Sequence, residues 1–91
     1  MSYKVKMVPL VEKAVAKWKK SNPFYHKKFI KIILELVEHP RTGIGHPEPL
    51  IGGNDIRWSR RLSAHDRIIY DIYDDIVTVL VIQVGGHYDD K

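Results

Sequence analysis

An α+β fold follows from three features of this 91-residue sequence. Apolar residues recur at helical spacing through residues 10–38, and they alternate or run together at strand spacing through residues 56–84. The helical half also comes first. Helices grouped ahead of strands place a helix pair on one face of a mainly antiparallel, twisted sheet. The length suits a single domain spanning residues 1–91, with a small core.

The elements follow in order. Residues 3–7 alternate loosely and suit a short strand. Pro9 fits the first turn of a helix, where its missing N–H costs little. Val11, Ala14, Val15 and Trp18 then form one helical face through residues 10–20, with Lys13, Lys17 and Lys20 mostly opposite. Ser21-Asn22-Pro23 stops this helix and starts another, with Asn22 as N-cap and Pro23 as first helical residue. The second helix covers residues 23–38. Its apolar stripe reads Phe29, Ile30, Ile33, Leu36 and Val37, and its wet side Lys27, Lys28, Lys31, Glu35 and Glu38. So short a connection predicts an antiparallel helical hairpin.

Residues 39–55 contain three of the five prolines and four of the six glycines, and read as one long loop. Long loops in small domains are frequently functional. A three-stranded antiparallel meander follows. In residues 56–62, Ile56, Trp58, Arg60 and Leu62 share one face and Arg57, Ser59 and Arg61 the other. Residues 63–66 form a turn and residues 67–73 the next strand. Asp74-Asp75 suits a two-residue hairpin turn. Residues 77–84 are almost wholly apolar and β-branched, which predicts a central strand buried on both faces, ended by Gly85-Gly86.

Charge is unevenly spread. Residues 1–40 hold nine lysines against three glutamates, residues 41–70 five arginines against three acids, and residues 71–91 one lysine against five aspartates. Every arginine lies between Arg41 and Arg67. A planar guanidinium binds two oxygens at once, so clustered arginines suit phosphate and point to a polyanionic partner. The absence of cysteine excludes a disulfide framework or thiolate metal site, and the histidines lack metal-ligand spacing. No cofactor is expected. No apolar run is long enough for a membrane span and the N-terminus lacks a signal-peptide pattern, so the expected compartment is the cytoplasm.

Several residues could carry chemistry. Glu48 stands between two prolines that stiffen the backbone around it. Arg60 and Arg61 point to opposite faces of one strand, and one of them can pack at the core edge or pair with an acid. Across the following turn, Arg61 and Arg67 come close enough to share one anion, although salt bridges to Asp66 or Asp71 are the plainer alternative. His87 can serve as a general acid, and Tyr88 can stack on a base. Metal-free RNA cleavage needs a base for the ribose 2′-OH, an acid for the leaving 5′ oxygen, and cations around the phosphate. Glu48, His87, Arg61 and Arg67 supply all three.

The series Gly45-His46-Pro47-Glu48-Pro49-Leu50, Trp58-Ser59-Arg60-Arg61-Leu62, His65-Asp66-Arg67-Ile68-Ile69-Tyr70 and His87-Tyr88 resembles the signature of YoeB/Txe toxins, a branch of the RelE superfamily. The resemblance is strong over residues 41–88, and the N-terminal part matches in layout. It implies a RelE-like fold and the toxin of a type II toxin–antitoxin pair, a ribosome-dependent endoribonuclease. Such a toxin cleaves mRNA in the ribosomal A site, on the small subunit, without a metal. By motif position the resemblance implies Glu48 as base and His87 as acid. Arg61 and Arg67 would hold the scissile phosphate, Tyr88 would position a nucleotide, and Arg60, Trp58 and His46 would contact substrate. The partners it implies are a YefM/Axe/Phd-like antitoxin, the ribosome and mRNA, and operator DNA reached through the antitoxin complex; a homodimer stays open. The sequence departs from the pattern at Ile51, where a lysine is expected, at His46, where another basic residue is expected, and in the added tail Asp89-Asp90-Lys91.

Two other readings stand beside this one. A ParE-like toxin of the same fold would inhibit gyrase by binding, with no need of Glu48, His87 and Tyr88 together. A non-enzymatic RNA-binding module would need the arginines alone.

Overall fold

The computed structural model describes residues 2–85. Strand β1 (Lys4–Met7) is followed by helices α1 (Pro9–Ser21) and α2 (Pro23–Glu38), then by strands β2 (Glu48–Pro49), β3 (Arg57–Arg61), β4 (Arg67–Tyr73) and β5 (Thr78–Gly85). The five strands form one sheet in the order β1-β5-β4-β3-β2. All neighbours are antiparallel except β1 and β5, which run parallel. The expected α+β class holds, with two additions to the meander: β1 on one edge and β2 on the other.

Both helices start as their sequences dictate. Pro9 and Pro23 occupy first-turn positions, and the Asn22 side chain accepts the Tyr25 N–H at 3.3 Å, capping α2. Trp18 of α1 packs edge-on against Tyr25 and Phe29 of α2. The core lies between this helix pair and one sheet face. Val11, Val15, Phe29, Ile32 and Leu36 meet Leu62, Ile68, Tyr70, Ile72, Val79 and Val81 there.

Four expectations need correction. The buried stripe of α2 runs through Ile32, whereas Ile30 is 41% exposed; apolar side chains on both flanks leave the phase of the helix ambiguous. Residues 39–55 are not structureless, because β2 adds to the edge of β3, where Pro49 loses nothing by lacking an N–H. Asp74-Asp75 is not a two-residue turn. A 3-10 turn at Asp74–Ile76 and a left-handed Val77 (φ 49°) make the connection, and the Val77 carbonyl accepts the Lys4 N–H at 2.9 Å. Finally, β5 is central but fully buried only on its helix side, at Val79 and Val81, while Thr78, Leu80 and Ile82 are half-buried.

Candidate functional site

Cross-strand register sorts the sheet into two faces, because directly paired residues point the same way. Trp58, Arg60 and Leu62 face the helices, with Ile68, Tyr70 and Ile72 beside them. The other face carries Arg57 opposite Asp71, Ser59 opposite Ile69, and Arg61 opposite Arg67. Glu48 pairs with Ser59 and therefore joins this second face. Ser59 and Ile69 are buried beneath their neighbours, so the charged side chains stand on a dry floor.

Arg61 and Arg67 are direct partners across β3 and β4, so the two cations are adjacent, as the sequence suggests. The alternatives for them, Asp66 and Asp71, are engaged elsewhere. Asp71 takes two hydrogen bonds from Arg57, at 2.8 and 3.0 Å. Asp66 accepts from the Tyr25 hydroxyl and from Ser63 Oγ, the latter at 3.0 Å. The Glu48 carboxylate lies 4.0 Å from the Arg67 guanidinium, with the two side chains 60% and 39% exposed. An ion pair this exposed is weak. An incoming phosphate can replace the carboxylate on Arg67 and leave Glu48 nearby with its oxygens available.

The loop that presents Glu48 is tied down from beneath. Arg60 is fully buried and uses all five of its N–H groups. Nε donates to the Tyr70 hydroxyl at 3.1 Å. Nη1 donates to Glu35 at 2.6 Å and to the Ile44 carbonyl at 3.4 Å. Nη2 donates to the carbonyls of His39 and Thr42, at 2.9 and 2.7 Å. Glu35 also accepts the Ile44 N–H at 3.0 Å, and the Tyr70 hydroxyl donates to the Pro40 carbonyl at 2.8 Å. The last tie is Gly45, whose carbonyl accepts the Arg61 N–H at 2.6 Å. A side chain at Gly45 would press to 2.7 Å from the Arg61 carbonyl, and the backbone there has φ +82°, so glycine is required.

This network corrects one expectation, and the strand register bears on another. The resemblance places Arg60 at the substrate, yet the side chain has neither exposure nor a remaining donor; it organises the loop. Trp58 is likewise expected at the substrate. It points to the helix-covered face, away from Glu48, where its indole N–H donates to the Asp55 carbonyl at 3.0 Å and Arg41 lies 5.9 Å above its ring. His46 is exposed on the anchored loop with φ 53°. Ile51 is fully exposed just past β2. His87 and Tyr88, like the tail Asp89-Asp90-Lys91, lie outside the described residues. Sequence reasoning missed Glu35, read as a wet helix residue, and the Arg57–Asp71 pair. Arg57 carried one usable signal: it alternates with Ser59 and Arg61 and so shares their face.

A carboxylate beside two adjacent cations can accept a proton while the cations hold a phosphate. The position is set by β2 and β3 and by the β3–β4 turn, which Tyr25 and Ser63 fasten through Asp66.

The chain is similar to known proteins in sequence and in fold. A model of the YoeB-like toxin of bacterial type II toxin–antitoxin systems matches residues 12–88. Toxin YoeB of Streptomyces coelicolor is 32% identical over 71 residues, covering 78% of this chain and 82% of that protein. Toxin RelK of Mycobacterium tuberculosis is 41% identical over 54 residues, 59% of this chain and 64% of that one. Among solved structures, a YoeB/ParE toxin from Agrobacterium tumefaciens superposes with a TM-score of 0.83 at 28% identity, over 93% of this chain and 99% of that chain. A YoeB–YefM complex from Staphylococcus aureus shares the fold, with a TM-score of 0.78 at 20% identity over 97% and 100% of the two chains.

Proposed function

Because this chain belongs to the YoeB-like toxins of bacterial type II toxin–antitoxin systems, we propose that it is a ribosome-dependent endoribonuclease that cleaves mRNA in the A site. The observation that carries this reading is Glu48, 4.0 Å from Arg67 on the face where Arg67 directly opposes Arg61. Glu48 takes the proton of a ribose 2′-OH. The 2′ oxygen attacks the adjacent phosphorus, and the bond to the 5′ oxygen of the next nucleotide breaks. His87 gives that oxygen a proton, and the products are a 2′,3′-cyclic phosphate and a 5′-hydroxyl. Arg61 and Arg67 neutralise the charge that builds on the phosphorane oxygens. Tyr88 stacks on a neighbouring base, and His46 approaches the substrate from the anchored loop.

The basic N-terminal half suits two polyanionic or acidic partners in turn: the ribosome, and a YefM-like antitoxin whose acidic segment folds over the toxin. The antitoxin follows by analogy with the YoeB–YefM complex from Staphylococcus aureus. Homodimerisation follows by analogy with the YoeB dimer of that organism, and operator DNA is reached through the antitoxin complex. Action on ribosomes places the protein in the cytoplasm. Among the described residues no helix is long and apolar enough to cross a membrane.

Primer extension on an mRNA under translation, with and without the purified chain, tests the reading. The expected result is discrete cuts within A-site codons whose upstream ends carry a cyclic phosphate. Intact mRNA under conditions where the chain binds ribosomes would replace this reading with that of a binding module.

A further inference from the structure

We propose that Tyr25 is a positioning residue for the arginine pair: it holds the Asp66 carboxylate on the helix side of the sheet and so keeps Arg61 and Arg67 free for a phosphate. The proposal rests on the reading of these two arginines as the phosphate site.

The register creates a competitor for that site. Arg61 ends β3, Arg67 begins β4, and the two are direct partners. One step further out, the Leu62 N–H donates to the Asp66 carbonyl at 2.8 Å. A carboxylate therefore stands next in the chain to two cations that repel each other. Arginine binds a carboxylate as readily as a phosphate, with two parallel hydrogen bonds. An Asp66 side chain turned toward the arginines would have to be displaced by every incoming phosphate.

Tyr25 turns it the other way. From the first turn of α2, its hydroxyl donates to the Asp66 carboxylate. The ring that carries this hydroxyl is braced by Trp18, edge-on with centroids 5.6 Å apart. Ser63 Oγ completes the seat, 3.0 Å from the same carboxylate oxygen and 2.8 Å from the Tyr25 hydroxyl. Ser63 is fixed in turn, because its Oγ accepts the N–H groups of His65 and Asp66 at 3.2 and 3.1 Å. Two hydroxyls thus satisfy Asp66, and among the described residues no ion pair joins it to Arg61 or Arg67. Without the Tyr25 hydroxyl the carboxylate would face a ring edge with one donor left. The long, partly exposed arginine side chains would then be its strongest partners.

The test measures kcat/KM on ribosome-bound mRNA for two variants. Tyr25→Phe keeps the ring and should lower kcat/KM by about tenfold, the scale of one hydrogen bond to a charged group. Adding Asp66→Asn removes the competing charge and should bring kcat/KM back to within about threefold of wild type. A merely structural role predicts the opposite, since the second substitution weakens the turn further. Wild-type kcat/KM in Tyr25→Phe, or a double variant no faster than Tyr25→Phe, overturns the proposal. Should Tyr25→Phe not fold, Ser63→Ala, which removes the other hydroxyl from Asp66, is measured alone and with Asp66→Asn, and the same outcomes decide. Failure of the catalytic reading would look different, as Glu48→Gln would then cleave as wild type does. In that case inorganic phosphate decides, titrated into the chain and followed at the Arg61 and Arg67 Nε–H resonances. Affinity that falls in Tyr25→Phe and returns with Asp66→Asn supports the proposal, and affinity unchanged by Tyr25→Phe overturns it.

Discussion

Arg60 and Glu35 meet at 2.6 Å, across a separation of 25 residues, and join β3 to the last turn of α2 under the loop that carries Glu48. Burial of the Glu35 carboxylate works against its charge, but the Arg60 hydrogen bond, the Ile44 amide and the Arg60 charge together outweigh it. Its pKa falls below the ordinary carboxylate range.

Removing one member of this pair should be costly. Arg60→Met leaves Glu35 without its cation and three loop carbonyls without a donor. A loss of roughly 3–5 kcal/mol is expected, which in a domain of this size lowers Tm by roughly 12 °C or more. Thermal unfolding followed by circular dichroism checks this. A Tm within a few degrees of wild type would refute the anchoring role.

The pair also sets an acid limit. With a folded pKa below the unfolded value of about 4.3, Glu35 contributes its full stability above that pH. The contribution is lost as pH falls through the lower, folded value. Wild type should therefore lose more Tm between pH 6 and pH 3 than Glu35→Gln does, and parallel curves would contradict the assignment.

At the turn between β3 and β4, the hydrogen bond from the Tyr25 hydroxyl to the Asp66 carboxylate, followed by a smaller contribution from burial, raises the phenol pKa although Ser63 opposes it. Stability from this bond is complete below a pH of about 10 and disappears as pH rises through the higher folded value. Tyr25→Phe should lose about 1 kcal/mol near neutrality, a low figure for a bond to a charged group because the site is half-exposed. Its Tm deficit should close above pH 10. A deficit that persists at high pH would mean that ring packing rather than the hydrogen bond was lost.

Arg61 and Arg67 separate function from stability. Their opposition on adjacent strands is repulsive in the absence of an anion. Alanine at either position should leave Tm unchanged or slightly raised, yet reduce cleavage by roughly 10²-fold. The salt dependence of RNA binding should lessen by about 0.7 in log–log slope per residue removed. Loss of activity in step with Tm would instead mark the arginines as structural.

Much of this arrangement was legible in the sequence because it depends on local rules. Prolines at 9 and 23 and the Asn22 cap fixed both helix starts, and alternation put Arg61 on the face away from Leu62. The same alternation put Arg60 on the core side, but a pattern cannot say what a long side chain meets there. Its partners come from α2 and from a loop that reads as featureless. β2 escaped because its two residues, Glu48 and Pro49, carry no periodicity, and the pairing of β1 with β5 joins segments more than seventy residues apart. Register, which no local pattern specifies, is what brought Arg57 and Asp71 together beside Glu48.

The acid–base pair allows the most direct test of the proposed chemistry. Glu48→Gln keeps the shape of the side chain and can still hydrogen-bond, but it cannot take a proton from the ribose. His87→Gln cannot become a cationic acid. Each should lower the single-turnover rate on ribosome-bound mRNA by roughly 10²–10⁴-fold. Stability should hardly change in Glu48→Gln, because the carboxylate is 60% exposed and its ion pair with Arg67 spans 4.0 Å. Ribosome affinity should persist in both variants, since it rests on lysines and arginines that are left intact. The rate of the wild type should be bell-shaped in pH, with limbs belonging to the coupled site rather than to either residue. If the double variant cuts ribosome-bound mRNA at the wild-type rate, neither residue takes part in proton transfer. Arg61 and Arg67 would then serve binding alone.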